Sequence, residues 1–457
     1  MTTQQSLRVA VIGAGPAGIY ASDLLIRNEE HEIYVDLFEQ MPAPFGLIRY
    51  GVAPDHPRIK GIVKSLHNVL DRPRLRLLGN IEVGRDVTVE ELRGHYDAVV
   101  FATGAVRDRT LDIPGIEAEG SFGAADFVGF YDGNPRFSRD WDLSAEQVAV
   151  IGVGNVGLDV ARVLAKTADE LKVTEIPDNV YDSLKRNQAR EVHVFGRRGP
   201  AQAKFTPQEL KELDHSPTIN VVVDPGDIDY DAASEEARRA SKSQDLVCQI
   251  LEGYAIREPK DAPHTLQIHL FEQPTEILER DGRVVGLRTE RTELDGDGGV
   301  RGTGKFTDWP VQAVYRAVGY ESDPVPGVPF ESGSAVIPND GGHVLDPAGD
   351  PLPGLYATGW IKRGPVGLIG NTKSDARQTT DMLVADAAAG RLSREVADPG
   401  AITSLLESRG IAYTTWQGWY RLDAEERALG EAEGRERKKI VDWEEMVRHA
   451  RAVPVCV

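Results

Sequence analysis

The stretch LRVAVIGAGPAG, residues 7–18, predicts a buried strand that ends in a glycine-rich turn and continues into a helix. Gly13, Gly15 and Gly18 have the spacing G-x-G-x-x-G. The first glycine permits a tight turn, the second lets the backbone approach a pyrophosphate, and the third lets the helix pack on the strand. The phosphate then lies on free N–H groups at the start of the helix. The stretch therefore predicts a dinucleotide-binding β-α-β unit.

The following strand, residues 33–38, ends at Glu39, 21 residues after Gly18. This matches the spacing of about 20 residues at which a carboxylate holds the ribose hydroxyls. A carboxylate there favours a ribose with free hydroxyls, as in FAD or NAD, over a 2′-phosphate. A plain glycine turn with a surface glutamate is the alternative, and the full strand–turn–helix–strand context disfavours it.

A second glycine loop, residues 152–157, follows an apolar strand at 148–151 and repeats the same pattern. Two dinucleotide sites in one chain are typical of a flavoprotein that exchanges electrons with a nicotinamide cofactor. Beyond the second loop, however, the expected acidic residue is absent. The next strand instead ends in Arg197 and Arg198.

Two guanidinium groups suit a dianionic 2′-phosphate, which they can bind through bidentate, charge-assisted hydrogen bonds. The pair Arg197–Arg198 therefore predicts NADP(H) as the second dinucleotide, with a solvated surface turn as the alternative. Glu209, twelve residues further on, could orient one arginine or contact the adenosine ribose. Its alternative role is to complete a capping box with Thr206.

The order of these elements predicts an α/β protein with two Rossmann-like three-layer dinucleotide-binding domains. A second Ala-Thr-Gly at 357–359 matches the strand end at 102–104, so the FAD domain is expected to be discontinuous. We expect its first part at 1–106, the NADP domain at 107–324, and its second part with a helical tail at 325–457.

Inside the NADP domain the strands of residues 218–318 resemble an inserted antiparallel layer. The polar segment 229–247 reads as one exposed helix.

Composition limits the classes of function. The net charge of −20 disfavours nucleic-acid binding, which needs a basic surface. Two distant cysteines are too few for a disulfide framework, an iron–sulfur cluster or a zinc site, so no metal is expected and a reducing cytoplasm fits. No stretch approaches the ~20 apolar residues that would span a bilayer, so no membrane insertion is expected.

Five motifs carry a more specific resemblance: residues 13–18, PFGLIRYGVAPDHPRIK (44–60), VIGVGNVGLDVAR (150–162), GRRGP (196–200) and ATGWIKRGPVGLIGN (357–371). Together they resemble the adrenodoxin-reductase-like ferredoxin–NADP reductases, including the bacterial FprA type. The resemblance implies a glutathione-reductase-like/adrenodoxin-reductase-like fold with a discontinuous FAD domain. The resemblance is close over roughly residues 5–390 and loose in the tail. Gly157 replaces the family's usual alanine, and Gly370-Asn-Thr-Lys373 replaces its common Gly-Thr-Asn-Lys.

The resemblance implies specific cofactor contacts. Those to FAD are Ala14, Glu39, Leu47, Val83, Trp360, Gly367, Leu368 and Ile369. Those to NADP(H) are Arg109, Gly154, Asn155, Val156, Arg197, Arg198 and Glu209, with Gly367 near the nicotinamide.

The same resemblance implies a hydride transfer from NADPH to FAD, followed by single-electron transfer to a ferredoxin-type iron–sulfur protein. Such a reaction depends on positioning and flavin electrostatics more than on acid–base chemistry. His56 is the implied tuning residue, and Asp159 and Glu212 are its implied acidic companions. The alternative is that His56 orders its loop and that the two carboxylates face solvent.

Ferredoxins are acidic, and so is this chain, so docking requires a local basic surface. Arg238, Arg239 and Lys242, in the polar segment 229–247, form the candidate cluster, although Glu235 and Glu236 lie beside them. An ordinary helix face is the alternative.

Other dinucleotide-binding proteins share parts of this pattern. A glutamate-synthase-like module would need N-terminal cysteine clusters, and a disulfide reductase would need a redox-active cysteine pair; both are absent. A flavin monooxygenase is conceivable, but no substrate-pocket signature is evident. An NADPH diaphorase or quinone-type reductase, and a non-enzymatic redox sensor that binds both cofactors, stay open.

Overall fold

The computed structural model describes residues 6–56, 60–366, 369–392 and 398–451. The chain divides into two compact units. Unit 1 comprises Met1–Val52, His56–Arg107 and Tyr320–Val457, and unit 2 comprises Ala53–Asp55 and Asp108–Gly319.

The strands, in chain order, are β1 Leu7–Ile12, β2 Ile33–Glu39, β3 Leu75–Gly79, β4 Ala98–Phe101, β5 Arg107–Asp108, β6 Ser121–Gly123, β7 Gln147–Ile151, β8 Glu191–Phe195, β9 Ile219–Val223, β10 His264–His269, β11 Glu272–Arg280, β12 Arg283–Leu294, β13 Val300–Trp309, β14 Ala313–Arg316, β15 Tyr320–Glu321, β16 Asn339–Asp340, β17 His343–Leu345 and β18 Pro351–Ala357.

The α-helices are Pro16–Ile26, Leu47–Tyr50, Val63–Leu70, Val89–His95, Ala124–Tyr131, Asn155–Ala165, Ala168–Lys172, Asp178–Leu184, Pro207–Glu212, Ala232–Ala240, Lys242–Ile256, Trp360–Arg363, Ile369–Ala388, Ala401–Ser408, Trp416–Glu431 and Trp443–Ala450. Within the described residues, no helix is both long enough and apolar enough to cross a membrane.

Unit 1 is built on a seven-stranded sheet with the order β16-β17-β18-β4-β1-β2-β3. Both faces of this sheet are covered, because alternate residues of β1 enter different hydrophobic clusters: Val9 and Val11 one, Ala10 and Ile12 the other. Strand β18 pairs in parallel with β4, so the second Ala-Thr-Gly strand completes the sheet of the first. The predicted discontinuous α/β fold is confirmed.

Unit 2 is built on a six-stranded sheet with the order β6-β14-β7-β8-β10-β9, in which all neighbouring strands run parallel. Val148 and Val150 of β7 face the helical side. Ala149 and Ile151 face a cluster that includes Leu287 of the antiparallel sheet β11-β12-β13. The antiparallel sheet β11-β12-β13 thus forms the third layer of unit 2.

Two expectations within residues 218–318 are wrong. Strands β9, β10 and β14 belong to the parallel sheet, and only β11, β12 and β13 form the antiparallel layer. The segment 229–247 is not one helix. Ser241 has an extended backbone and caps the second of two helices, its hydroxyl accepting from the Gln244 N–H at 3.3 Å.

The C-terminal tail is an integral part of unit 1. Glu426, on the helix Trp416–Glu431, is fully buried and accepts two hydrogen bonds from Arg49 at 2.5 and 3.0 Å. The Lys439 ammonium group donates to the Arg49 carbonyl at 2.6 Å. The Trp419 ring packs edge-on against Phe45, with 5.3 Å between ring centroids. The tail therefore supports the loop at residues 44–50.

Candidate functional site

The first glycine loop has the geometry that its spacing predicts. Gly13 has φ +107°, and a Cβ there would lie 2.4 Å from the Ala102 carbonyl oxygen. A Cβ at Gly18 would lie 1.9 Å from the Gly13 carbonyl oxygen, so helix and strand pack too closely for a side chain. A Cβ at Gly15 would meet only the Gly46 Cα, at 3.9 Å. The loop therefore leaves open space where a pyrophosphate would approach.

Glu39 is held beside this loop at the end of β2. Its buried carboxylate accepts hydrogen bonds from the Ala14 N–H at 2.8 Å and the Met41 N–H at 2.9 Å. Hydrogen bonds from two backbone groups fix the orientation of the carboxylate. A dinucleotide bound on the first loop would thus meet a preoriented acceptor for ribose hydroxyls.

Other residues expected to hold FAD gather near the same loop. The Phe45 N–H donates to the Ala14 carbonyl at 2.8 Å, and this places the half-buried Leu47 just beyond. Val83 lies in the same hydrophobic cluster as Ile12. The helix Trp360–Arg363 follows Gly359, where a Cβ would lie 2.7 Å from the Ala17 Cβ.

Asp375 holds the turn before Trp360. Its carboxylate accepts the Gly359 N–H at 2.5 Å and pairs with the buried Lys362 at 3.1 Å. Of the remaining expected contacts, Gly367, Leu368 and the side chain of Ile369 lie outside the described residues.

The second glycine loop, in unit 2, follows the same rules. A Cβ at Gly152 would lie 2.2 Å from the Ala317 carbonyl oxygen, and one at Gly157 would lie 2.4 Å from the Gly152 carbonyl oxygen. A Cβ at Gly154 would meet nothing within 4 Å. Gly157, where the family usually has alanine, therefore lies at a close helix–strand contact. Gly154 opens the space for a second pyrophosphate.

Two neighbours of Gly154 begin the helix Asn155–Ala165. The Asn155 side chain accepts the Thr206 N–H at 2.8 Å, which joins the loop to the segment before the helix Pro207–Glu212. Val156 is half-buried and packs on the core of unit 2. These contacts fix the loop before any ligand binds.

Arg197 and Arg198 follow β8 after one intervening residue, Gly196, and β8 pairs with β7 and β10. Their backbone is fixed: the Arg197 carbonyl accepts from the Thr292 hydroxyl at 2.7 Å, and the Arg198 carbonyl accepts from the Phe271 N–H at 3.3 Å. Arg197 is exposed and Arg198 is half-exposed. Among the described residues, neither guanidinium group has a hydrogen-bond or carboxylate partner. Both charges are available to an anion.

Sequence reasoning missed a buried cluster around Arg162. Its guanidinium group, 1% exposed, binds both carboxylate oxygens of Asp55 at 2.8 and 2.9 Å and one of Asp159 at 2.8 Å. Burial alone would raise the pKa of Asp55, but Arg162 and Lys166 hold it well below its usual value. Asp159 is therefore not a solvent-facing helix residue. The i,i+3 spacing of Asp159 and Arg162 on one helix was the sequence pattern that could have predicted this ion pair.

Glu209 takes part in the same cluster, with its carboxylate 3.9 Å from the Arg162 guanidinium group. Its N–H donates to the Thr206 hydroxyl at 3.3 Å, so the helix is capped from the Thr206 side. Glu212 is half-buried and accepts from Gln208 at 3.1 Å. Arg109 is exposed, and its N–H donates to the Gly319 carbonyl at 2.9 Å.

His56 belongs to unit 1 and is 3% exposed; its carbonyl accepts the Lys60 N–H at 3.1 Å. It directly follows Asp55 in the sequence.

The expected docking cluster is smaller than the sequence indicates. The side chain of Arg238 is only 17% exposed, and it pairs with Asp245 at 2.9 Å and Glu252 at 3.0 Å. Its guanidinium group also lies over the Tyr230 ring. Arg238 therefore offers no free charge, whereas Arg239 and Lys242 are exposed.

Comparison with known proteins places this geometry in a family. Residues 7–194 match the family model described as pyridine nucleotide-disulphide oxidoreductase. The chain is 39% identical to the NADPH-ferredoxin reductase FprA of Mycobacterium tuberculosis, covering 96% of this chain and 98% of that protein. It is also 39% identical to the human mitochondrial NADPH:adrenodoxin oxidoreductase, covering 98% of this chain and 92% of that protein.

The solved structure of Mycobacterium tuberculosis FprA in complex with NADPH superposes with a TM-score of 0.91 at 39% identity, over 97% of this chain and 99% of that chain. The resemblance inferred from the motifs is thus confirmed over 96–98% of the chain. The chain belongs to the family of adrenodoxin-reductase-like NADPH–ferredoxin reductases.

Proposed function

We propose that the chain is an FAD-containing oxidoreductase that takes electrons from NADPH and passes them singly to a ferredoxin-type iron–sulfur protein. Bound FAD and NADPH would supply the redox chemistry, a hydride transfer followed by one-electron steps. The protein's own part is to hold both dinucleotides and to keep water and unsuitable nucleotides away from the reacting groups.

One observation carries this proposal: two open glycine loops are followed by strand ends of opposite charge. At the first loop, a buried carboxylate, Glu39, is held by two backbone N–H groups and suits a free ribose. At the second loop, Arg197 and Arg198 lack carboxylate partners among the described residues and suit a 2′-phosphate. The pair of sites therefore distinguishes FAD from NADP(H).

The residues proposed to hold FAD share unit 1: Gly13, Ala14, Gly15, Gly18, Glu39, Leu47, Val83 and Trp360, with Gly367, Leu368 and Ile369 proposed from the resemblance. Those proposed to hold NADP(H) are Arg109, Gly154, Asn155, Val156, Arg197, Arg198 and Glu209. His56 is proposed to tune the site, and Asp159 and Glu212 are proposed to hold the nicotinamide or a network of ordered water.

We place the docking surface for the iron–sulfur protein at Arg239 and Lys242. Both are exposed, on adjacent helices joined at Ser241. A local positive patch on a chain of net charge −20 would orient an acidic partner. We further propose the cytoplasm as its location, since two distant cysteines suit a reducing compartment.

The test is stopped-flow spectroscopy on the FAD-loaded protein. Excess NADPH should bleach the visible flavin absorbance rapidly, NADH should do so far more slowly, and oxidised ferredoxin should then restore it. Ferricyanide serves as a control acceptor that needs no docking surface. A flavin that NADPH never reduces would overturn the proposal. A flavin reoxidised by quinones but not by any ferredoxin would make the protein a quinone-type reductase.

A further inference from the structure

Lys204 lies beside the second glycine loop, although no motif contains it. Its N–H donates to the Val153 carbonyl at 2.8 Å, and Lys204 and Gly154 form a parallel β-bridge. The strand-like segment around Lys204 therefore forms one wall of the loop that opens at Gly154.

The bridge also fixes the direction of the Lys204 side chain. Residues in register across a β-bridge project to the same face. On that face, a Cβ built on Gly154 would meet nothing within 4 Å. The flanking Ala203 and Phe205 point into the core, at 2% and 4% exposure, whereas Lys204 is exposed. Its ammonium group thus extends from the open side of the loop.

The charge of Lys204 is unpaired within the described part of the chain. Among the described residues, its ammonium group makes no hydrogen bond, ion pair or contact with an aromatic ring. The loop carrying Arg197 and Arg198 is adjacent, because a Cβ on Gly196 would lie 2.5 Å from the Val153 side chain. Three cations without carboxylate partners thus line one edge of unit 2, in a chain with 20 more acidic than basic side chains.

We propose that Lys204 is a further NADP(H)-binding residue, whose ammonium group binds the pyrophosphate lying over Gly154. This inference rests on the proposed function, since it assumes that the second loop binds a dinucleotide. Lysine suits this task because a flexible point charge can follow a pyrophosphate, whereas the bidentate arginine pair suits the 2′-phosphate. Lys204 would strengthen binding of both NADPH and NADH, and the arginine pair would favour NADPH by binding its 2′-phosphate.

The test measures equilibrium binding of NADP⁺ and of 2′-AMP to the FAD-loaded protein by titration calorimetry. 2′-AMP carries the 2′-phosphate but no pyrophosphate. We expect Lys204→Ala to raise the Kd for NADP⁺ about tenfold and to leave the Kd for 2′-AMP within about twofold. Lys204→Arg, which keeps the charge, should restore most of the affinity, and Lys204→Glu should weaken NADP⁺ binding beyond alanine.

Lys305→Ala is the matched control, since Lys305 is an exposed lysine of β13 in the same unit, and it should bind both ligands as the parent does. Two results would overturn the inference: an unchanged Kd for NADP⁺ in Lys204→Ala, or an equal loss for NADP⁺ and 2′-AMP. Failure of the parent protein to bind NADP⁺ at all would instead overturn the proposed function, and with it this assignment.

Discussion

At the residue scale, Glu39 and the pair Arg197–Arg198 occupy equivalent places in two copies of one strand–turn–helix–strand pattern. A carboxylate in the first copy and two guanidinium groups in the second suit chemically different riboses. Under the proposed function, nucleotide selectivity would depend on these few side chains, because the backbone pattern is the same in both copies.

Replacing both Arg197 and Arg198 with glutamine should lower kcat/KM for NADPH roughly a hundredfold, because two charge-assisted contacts to the 2′-phosphate are lost. This factor corresponds to a loss of about 3 kcal/mol of transition-state stabilisation. The value for NADH should change little. Steady-state kinetics with both nucleotides provides the measurement, and Lys305→Gln is the control. Equal losses for NADPH and NADH would mean that the arginines bind another part of the nucleotide.

Asp108 gives a prediction about pH. Its carboxylate accepts the Ala125 N–H, and burial, with Asp126 nearby, raises its pKa to about 7. The pKa of Asp108 in the folded protein lies above its usual value of 3.8. The contribution of this carboxyl group to the free energy of unfolding is therefore fully present below pH 3.8 and is lost as the pH rises through 7. The Tm of Asp108→Asn should therefore rise relative to the Tm of the parent as the pH increases from 4 to 8.

Thermal unfolding at several pH values checks this prediction. Asp112→Asn, which changes an exposed aspartate in the same unit, should show no such trend. A difference independent of pH would indicate that the Asp108 pKa is ordinary.

At the element scale, the helix Trp416–Glu431 supports the loop at residues 44–50 through the buried pair Arg49–Glu426. Glu426→Ala should lower the free energy of unfolding by about 3–5 kcal/mol, because it leaves the Arg49 charge buried without its carboxylate partner. It should also weaken FAD retention, since Leu47 lies in the supported loop. Chemical denaturation and flavin release on gel filtration measure the two effects.

The double variant Arg49→Met, Glu426→Leu is the control, because it removes both charges of the Arg49–Glu426 pair and should lose less stability than Glu426→Ala. Arg437, which contacts Glu426 at 3.1 Å, keeps its second carboxylate partner Asp423 in both variants. A double variant as unstable as the single one would show that packing, and not the unpaired charge, causes the loss.

The elements differ in how well their sequence predicts them. Residues 7–18 and 152–157 could be predicted because glycine spacing and an adjacent apolar strand report local geometry. The placement of β9, β10 and β14 could not, since apolar strands look alike whether their partners are parallel or antiparallel. The Asp55–Arg162 pair joins residues 107 positions apart, a separation at which no local pattern identifies a partner.

At the scale of the whole molecule, the proposed acidic ferredoxin would meet a chain of net charge −20, so long-range repulsion makes local cations important. Arg239→Glu combined with Lys242→Glu should raise the KM for ferredoxin severalfold at low ionic strength and leave ferricyanide reduction unchanged. Salt should reduce the difference between the variant and the parent.

Steady-state assays across an ionic-strength series test this prediction. Lys305→Glu is the control for the change in net charge. An unchanged KM for ferredoxin would place the docking surface elsewhere.

The discontinuity of unit 1 has a consequence for biosynthesis. About 250 residues separate the end of β4 at Phe101 from the start of β18 at Pro351. At roughly 5–20 residues per second, a nascent chain exposes the open edge of β4 for roughly 10–50 s before β18 can pair with it. Unit 2 is almost contiguous and can fold within that interval. Ribosome-stalled chains ending at Ala357, in which unit 2 has left the exit tunnel and β18 has not, should therefore resist limited proteolysis in unit 2 and be cleaved between β1 and β4.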